Sequence, residues 1–307
     1  MASADGFATV GIVSESGTVR AQFVPDANMV CHSLTHDGVE LLHTGDGVGA
    51  YAQRGATMGI PLLHPWANRL AAPRYAAAGK EVTLPAPEGN FAVDPNGLPI
   101  HGALPGLLRW ELLETGGADR VSARLDWTGP ELMALFPFAH ELRLDAAAGD
   151  AGLELITTVR ATGEDEVPVS FGYHPYLRPP GDAPRGDWQV SLGASQRLVL
   201  DDRMIPTGAT EPLVERNFRL ERQSWDDGLV GLSSPPEFSA SAGARALTVT
   251  FDDGFGYAQV FAPEGQEFIC FEPMTAPTNA LVSGAGLQLV EPGDEHRTAF
   301  SIAVTDR

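Results

Sequence analysis

Apolar and polar residues alternate with a period of two along much of this chain. Val121, Ala123, Leu125 and Trp127 fall on one face of an extended segment, and Arg120, Ser122, Arg124 and Asp126 on the other, the pattern of a strand buried on one side. The same alternation sets Leu247, Val249 and Phe251 against Thr248 and Thr250, and Phe300, Ile302 and Val304 against Ser301 and Thr305. Runs at 153–159, 188–192 and 257–261 add further predicted strands. No stretch of a dozen residues carries a 3.6-residue period. Residues 130–135 alone read as a helical turn, opened by Gly129-Pro130. Many antiparallel, two-faced strands have to bury their apolar faces against one another, so the pattern predicts an all-β fold, a large sandwich or barrel.

Composition agrees with that class. The chain has 34 Gly and 24 Pro in 307 residues, suited to short strands and tight turns, and 43% hydrophobic residues to fill a core. Residues 85–99, 178–187 and 233–243 are rich in Pro, Gly, Ser or charge and are predicted loops; none has the character of an interdomain linker, so residues 1–307 are expected to form one domain. No internal repeat, heptad or low-complexity tract is evident. Gly45-Asp46-Gly47-Val48-Gly49 lacks the spacing and the strand-to-helix setting of a nucleotide-binding loop.

A formal charge of −20 opposes broad association with nucleic acid or anionic membrane. The N-terminal residues carry no basic region followed by an apolar core, and no apolar run approaches the ~18 residues needed to span a bilayer. A cytoplasmic location is expected. Cys31 and Cys270 are the only thiols, and neither a disulfide nor a metal site is expected of them.

Four segments carry candidate chemistry. Glu272 ends the apolar run Phe268-Ile269-Cys270-Phe271 and is followed by Pro273 and Pro277, which remove backbone donors, so the ladder is expected to stop where the carboxylate emerges. Asn68-Arg69 lies in an apolar, Pro-rich stretch; His101 opens His101-Gly102-Ala103-Leu104-Pro105-Gly106; His174 lies in Gly172-Tyr173-His174-Pro175-Tyr176. Each puts a polar group at a strand-to-loop junction, where binding groups concentrate.

In this order the four segments resemble the aldose 1-epimerase family, also called galactose mutarotases, from about Arg54 to the C-terminus. The resemblance implies a galactose-mutarotase-like β-supersandwich and interconversion of the α and β anomers of a free aldohexose by opening and closing the ring. It implies Glu272 as base and His174 as acid, with kcat/KM rising as Glu272 ionises and falling as His174 loses its proton. His101 would donate near the ring oxygen, and Arg69, with Asn68 beside it, would hold sugar hydroxyls. Asp226 matches the family's sugar-binding aspartate, with Asp227 the competing choice, since Gly228 and Leu229 stand where a larger residue and an aromatic are common. No cofactor is required, and the partner is a small-molecule sugar; the oligomeric state is left open.

The remaining residues have plainer expectations. Of Trp66, Tyr173, Tyr176 and Trp225, at most one is expected against the sugar. His32, His36, His43, His140 and His296 are expected to be solvated or to cap strands, whereas His64 lies five residues from Arg69. Three rival functions follow from the same residues. A hexose-6-phosphate 1-epimerase would need further cations, for which Arg54 and Arg74 are candidates; a non-catalytic sugar-binding protein would not need both His174 and Glu272; a glycosidase would pair two carboxylates.

Overall fold

The computed structural model describes residues 3–113 and 116–306. Its strands form two large antiparallel sheets packed face to face. The nine-stranded sheet runs in the order Glu111–Leu113, Arg120–Trp127, His140–Gly149, Gly152–Ala161, Glu295–Asp306, Arg245–Asp253, Glu237–Ser241, Gln189–Ser191, Asn217–Arg219. The eight-stranded sheet runs Pro206–Pro212, Ala194–Leu200, Trp225–Leu232, Tyr257–Ala262, Ile269–Met274, Gly172–Tyr173, Leu62–Leu63, with Tyr176–Leu177 also paired to Ile269–Met274. A four-stranded sheet of residues 10–40 packs its Phe23 and Leu34 into the same core.

The predicted alternation explains how the sheets meet. Val121, Ala123, Leu125 and Trp127 are buried, as are Leu247, Val249 and Phe251 and Phe300, Ile302 and Val304. They join one apolar cluster with Leu229, Val260 and Phe271 of the facing sheet. Burying the Val, Leu, Ile and Phe side chains among them contributes roughly 1.5–3 kcal/mol each. Ring contacts cross the interface, Phe238 with Phe271 at 5.9 Å and Tyr173 with Phe300 at 4.9 Å. The Tyr173 hydroxyl also bonds the Thr157 hydroxyl of the opposite sheet.

The predicted helical turn is the helix Pro130–Leu135, with Pro at its first turn. Two short helices, Val48–Arg54 and Ala280–Ser283, had no periodic signal. The predicted loops at 233–243 and 85–99 are corrected in part. Glu237–Ser241 is a strand, because Phe238 and Ala240 alternate into the core beneath a Ser- and Pro-rich surface. Phe91–Val93 pairs with Pro99–Ala103. Among the described residues no helix is long and apolar enough to cross a membrane.

A second correction concerns Pro273. The strand does not stop at Glu272; it continues to Met274, with Glu272, Pro273 and Met274 opposite Gln259, Ala258 and Tyr257. The Pro273 carbonyl faces Gly172, where an added Cβ would lie 2.7 Å from it. The ring nitrogen of Pro273 shares that edge, and the neighbour there is interrupted between Gly172–Tyr173 and Tyr176–Leu177. Proline is tolerated mid-strand because no donor is needed on that side.

Candidate active site

Strand register builds the floor of the site. Glu272, Gln259 and Gly228 form one cross-strand row, and Cys270, Phe261 and Asp226, joined by Tyr176, form the next. Alternation puts these side chains on one face of the sheet, while the intervening Phe271 and Val260 enter the core. Asp227 has the parity of the core face and is met by Arg197 at 3.6 Å. Of the two aspartates, Asp226 is the one that borders the cavity.

Two loop segments roof this floor. Residues 64–70 and 99–103 zip together: Leu70 N–H donates to Pro99 O at 2.9 Å, His101 N–H to Asn68 O at 3.0 Å and Ala103 N–H to His64 O at 2.9 Å. Asn68 and His101 have φ of 55° and 64°, conformations that cost free energy in non-glycine residues and cluster at functional sites. Gly102 cannot be replaced, because a Cβ there would lie 2.1 Å from the His64 carbonyl oxygen. His174 sits where the ladder is interrupted between Gly172–Tyr173 and Tyr176–Leu177: its N–H donates to Pro61 O at 3.1 Å and that of Tyr176 to Gly59 O at 2.8 Å.

The result is a cavity of about 230 Å³ bordered by Asn68, Arg69, His101, His174, Asp226 and Glu272, all six candidates read from the sequence, together with Thr57, Ile100, Tyr176 and Phe261. Glu272 Oε1 lies 3.3 Å from His174 Nε2, and both side chains are almost wholly buried. The His174 ring stacks on Tyr176 at 4.5 Å with planes 4° apart, and the edge of Phe261 approaches at 5.6 Å. Tyr176 in turn shares a 2.6 Å hydrogen bond with Thr57. Arg69 Nε donates to Asp94 Oδ2 at 2.9 Å, its Nη1 to Asn68 Oδ1 at 3.1 Å, and Nη2 stands 3.6 Å from Asp226 Oδ2. Gln259 Nε2 donates to Asp226 Oδ1 at 2.6 Å.

Burial dominates the electrostatics. It pushes the Glu272 carboxyl well above the ordinary carboxylate range; Asp226 adds to the rise and Arg69 opposes it. Burial, followed by His101, drives His174 well below the ordinary imidazole value. His101 falls to about 3 through burial and then Arg69. The sequence reading makes Glu272 the base and His174 the acid; burial in the dry pocket favours the uncharged form of each. Glu272 Oε1 and His174 Nε2, 3.3 Å apart, are placed to share one proton. Among the described residues, Glu272 Oε2, His174 Nδ1 and His101 Nδ1 are buried and meet no hydrogen-bond partner. Buried polar atoms are normally paired, so these are positions at which a polar ligand would complete the bonding.

A raised carboxyl pKa has a stability consequence. The protonated form of Glu272 suits the fold, so that contribution is intact below the unfolded value of 4.5 and lost as pH rises through the elevated folded value. At neutral pH and above, Glu272 costs stability. Glu272→Gln is expected to raise Tm by about 2 °C, on the order of 1 kcal/mol, with a gain that grows with pH. Thermal melts across pH check it, and a lower Tm for the variant would show that Glu272 stabilises the pocket.

Other sequence expectations resolve as follows. Tyr176 alone of the four aromatics borders the cavity; Trp66 and Tyr173 are core residues and Trp225 stacks on Phe218 at 5.0 Å. His140 is neither solvated nor capping: it is fully buried, stacked on Trp127, with Nε2 2.9 Å from His64 Nε2. An alternating strand carries it inward, and Phe138 O accepts from its Nδ1 at 2.7 Å. That pairing also takes His64 out of the cavity. Arg54 is exposed and paired with Asp46, and Arg74 is exposed; neither borders the cavity. Cys31 and Cys270 are buried and free. Sequence reasoning missed Gln259, Asp94, Thr57, Ile100 and Phe261. Gln259 and Phe261 lay in a predicted strand, and only the register with Glu272 would have exposed them.

Known proteins resemble this chain in sequence and in fold. A family model described as aldose 1-epimerase matches residues 30–303. The uncharacterized protein YihR of Escherichia coli is 26% identical over 257 residues, 79% of this chain and 80% of that protein. Galactose mutarotase of Rattus norvegicus is 28% identical over 158 residues, 51% of this chain and 43% of its own length. Among solved structures, a galactose mutarotase-like protein from Clostridium acetobutylicum superposes with a TM-score of 0.81 at 17% identity, covering 95% of this chain and 94% of that one. The last likeness establishes the galactose-mutarotase-like sandwich.

Proposed function

The chain belongs to the aldose 1-epimerase family, isomerases that act on carbohydrates, and from that premise we propose that it interconverts the α and β anomers of a free, uncharged aldohexose. The observation that carries the proposal is the Glu272–His174 pair, 3.3 Å apart and buried, facing a sugar-sized cavity that Arg69 and Asp226 also line.

In its charge-separated form that pair is the acid–base couple the reaction needs. Glu272 removes the proton from the C1 hydroxyl while His174 Nε2 gives its proton to the ring oxygen; the C1–O5 bond breaks and a C1 aldehyde forms. Rotation about C1–C2 presents the other carbonyl face. The hydroxyl at C5 then attacks, His174 recovers the proton and Glu272 returns one to the C1 oxygen. Each positioned group contributes ~10²–10⁴-fold. Arg69 and Asn68 hold hydroxyls as donors, Asp226 as acceptor, and His101 donates toward the ring oxygen. One domain carries this reading, since a single apolar cluster extends from Ile12 to Val304.

The preference for a free sugar rests on charge. Among the described residues Arg69 is the one cation at the cavity, and two aspartates already face it. A phosphate would want uncommitted Arg or Lys. Enzyme-catalysed exchange between H1α and H1β, followed by NMR, is expected to be faster for glucose or galactose than for glucose 6-phosphate. The reverse order would assign the chain to sugar phosphates.

A further inference from the structure

Arg69 has its charge met before any ligand arrives. Asp94 takes the Nε hydrogen at 2.9 Å, Asn68 takes one from Nη1 at 3.1 Å, and Asp226 stands 3.6 Å from Nη2. A guanidinium carries five N–H groups in one rigid plane, so fixing Nε fixes the direction in which the Nη edge points. Asp94 is itself immobilised. Its side chain is 1% exposed, and its Oδ1 accepts from the backbone N–H groups of Asn96 and Leu98, both at 2.9 Å. The turn is closed by Gly97 N–H to Asp94 O and Asp94 N–H to Leu98 O, each 2.9 Å. Asp94 does not border the cavity, so it acts on a ligand only through Arg69.

We propose that Asp94 is a positioning residue that aims and neutralises Arg69, so that the cavity accepts uncharged sugars and disfavours anionic ones. The proposal rests on the anomerase reading above. With a buried carboxylate at Nε and a second near Nη2, the guanidinium presents directed donors with little net positive field. A sugar hydroxyl accepts from such donors; a phosphorylated or acidic sugar meets Asp94 and Asp226 as like charges. Without Asp94 the same guanidinium is free to turn and carries uncompensated charge.

Glu272 reports on that field. It is faced by Asp226, Arg69 and His174, with Cys270 and Tyr176 on its own sheet face and His101 against His174. Arg69 draws the Glu272 carboxyl down, and Asp94 offsets Arg69. Removing the Asp94 charge strengthens that pull and moves the alkaline limb of activity to lower pH.

The test is Asp94→Asn, which keeps an acceptor for the turn amides, compared with Asp94→Glu and wild type. Loss of a charged hydrogen bond predicts a KM for free aldose roughly 10–100-fold higher, with kcat changing far less. The alkaline limb should move down, and competitive inhibition by glucose 6-phosphate should tighten; Asp94→Glu should recover part of each. Unchanged KM, limb and inhibition in a folded Asp94→Asn would overturn the proposal. So would a parallel fall in kcat and KM effects explained by a lower Tm, with no change in the limb or in phosphate binding. If wild type accelerates no aldose, the anomerase reading fails separately. Calorimetric titration of glucose 6-phosphate into wild type and Asp94→Asn then decides the charge argument: tighter binding in the variant supports it, equal binding overturns it.

Discussion

Replacing Glu272 by glutamine is expected to lower kcat/KM for anomer exchange by about 10²–10⁴-fold in a protein that still folds. The amide keeps the size of the side chain and can still bond His174, but it cannot accept the C1 hydroxyl proton. No other carboxylate at the cavity can substitute. Asp226 stands in the next cross-strand row of the same floor, held by Gln259 at 2.6 Å and facing Arg69, so its oxygens are committed. Sugar binding should persist, because Arg69, Asn68, His101 and Asp226 are untouched. Steady-state kinetics alongside calorimetric binding check both halves. Full activity in Glu272→Gln would remove Glu272 from the chemistry.

His174→Asn should produce a comparable loss, about 10²–10⁴-fold, and should also change the shape of the pH profile. In wild type the active pair holds one proton. At low pH a second proton enters His174, whose affinity burial holds well below the ordinary 6.5. At high pH the shared proton is lost, opposed by the raised Glu272 carboxyl, whose ordinary value is 4.5. The expected profile is a bell with a broad top, its two limbs belonging to the coupled pair. Without His174 only Glu272 titrates as the base. The residual activity should then rise with pH in a single limb and not fall again. A bell of unchanged limbs in the variant would show that some other group is the acid.

Much of the fold was legible because period-two alternation records which face of a strand is buried. It fails where that signal is short or disguised. Phe238 and Ala240 enter the core from a segment whose Ser and Pro content reads as loop, and Pro273 reads as a strand end unless one knows that the neighbouring strand is interrupted beside it. The candidate site was legible as four segments because Asn68-Arg69, His101-Gly102, His174-Pro175 and Glu272-Pro273 each combine a polar or titratable side chain with strained or donor-poor backbone. The residues that support them were not. Gln259 is defined by standing opposite Glu272, and Asp94 by a turn that delivers its carboxylate to Arg69, 25 positions away. Cross-strand register and loop closure of that kind are tertiary facts. Burial was hidden too: His140 looks like any strand histidine, and only the packed interior shows that Glu272 and His174 each favour the uncharged form.

The most direct test of the central claim is magnetisation exchange between H1α and H1β of glucose and of galactose, measured by NMR with the protein as it stands and with Glu272→Gln. The account predicts exchange far above the uncatalysed rate for at least one of the two sugars, abolished in the variant. Exchange at the uncatalysed rate for both sugars, or equal acceleration by the variant, would contradict it.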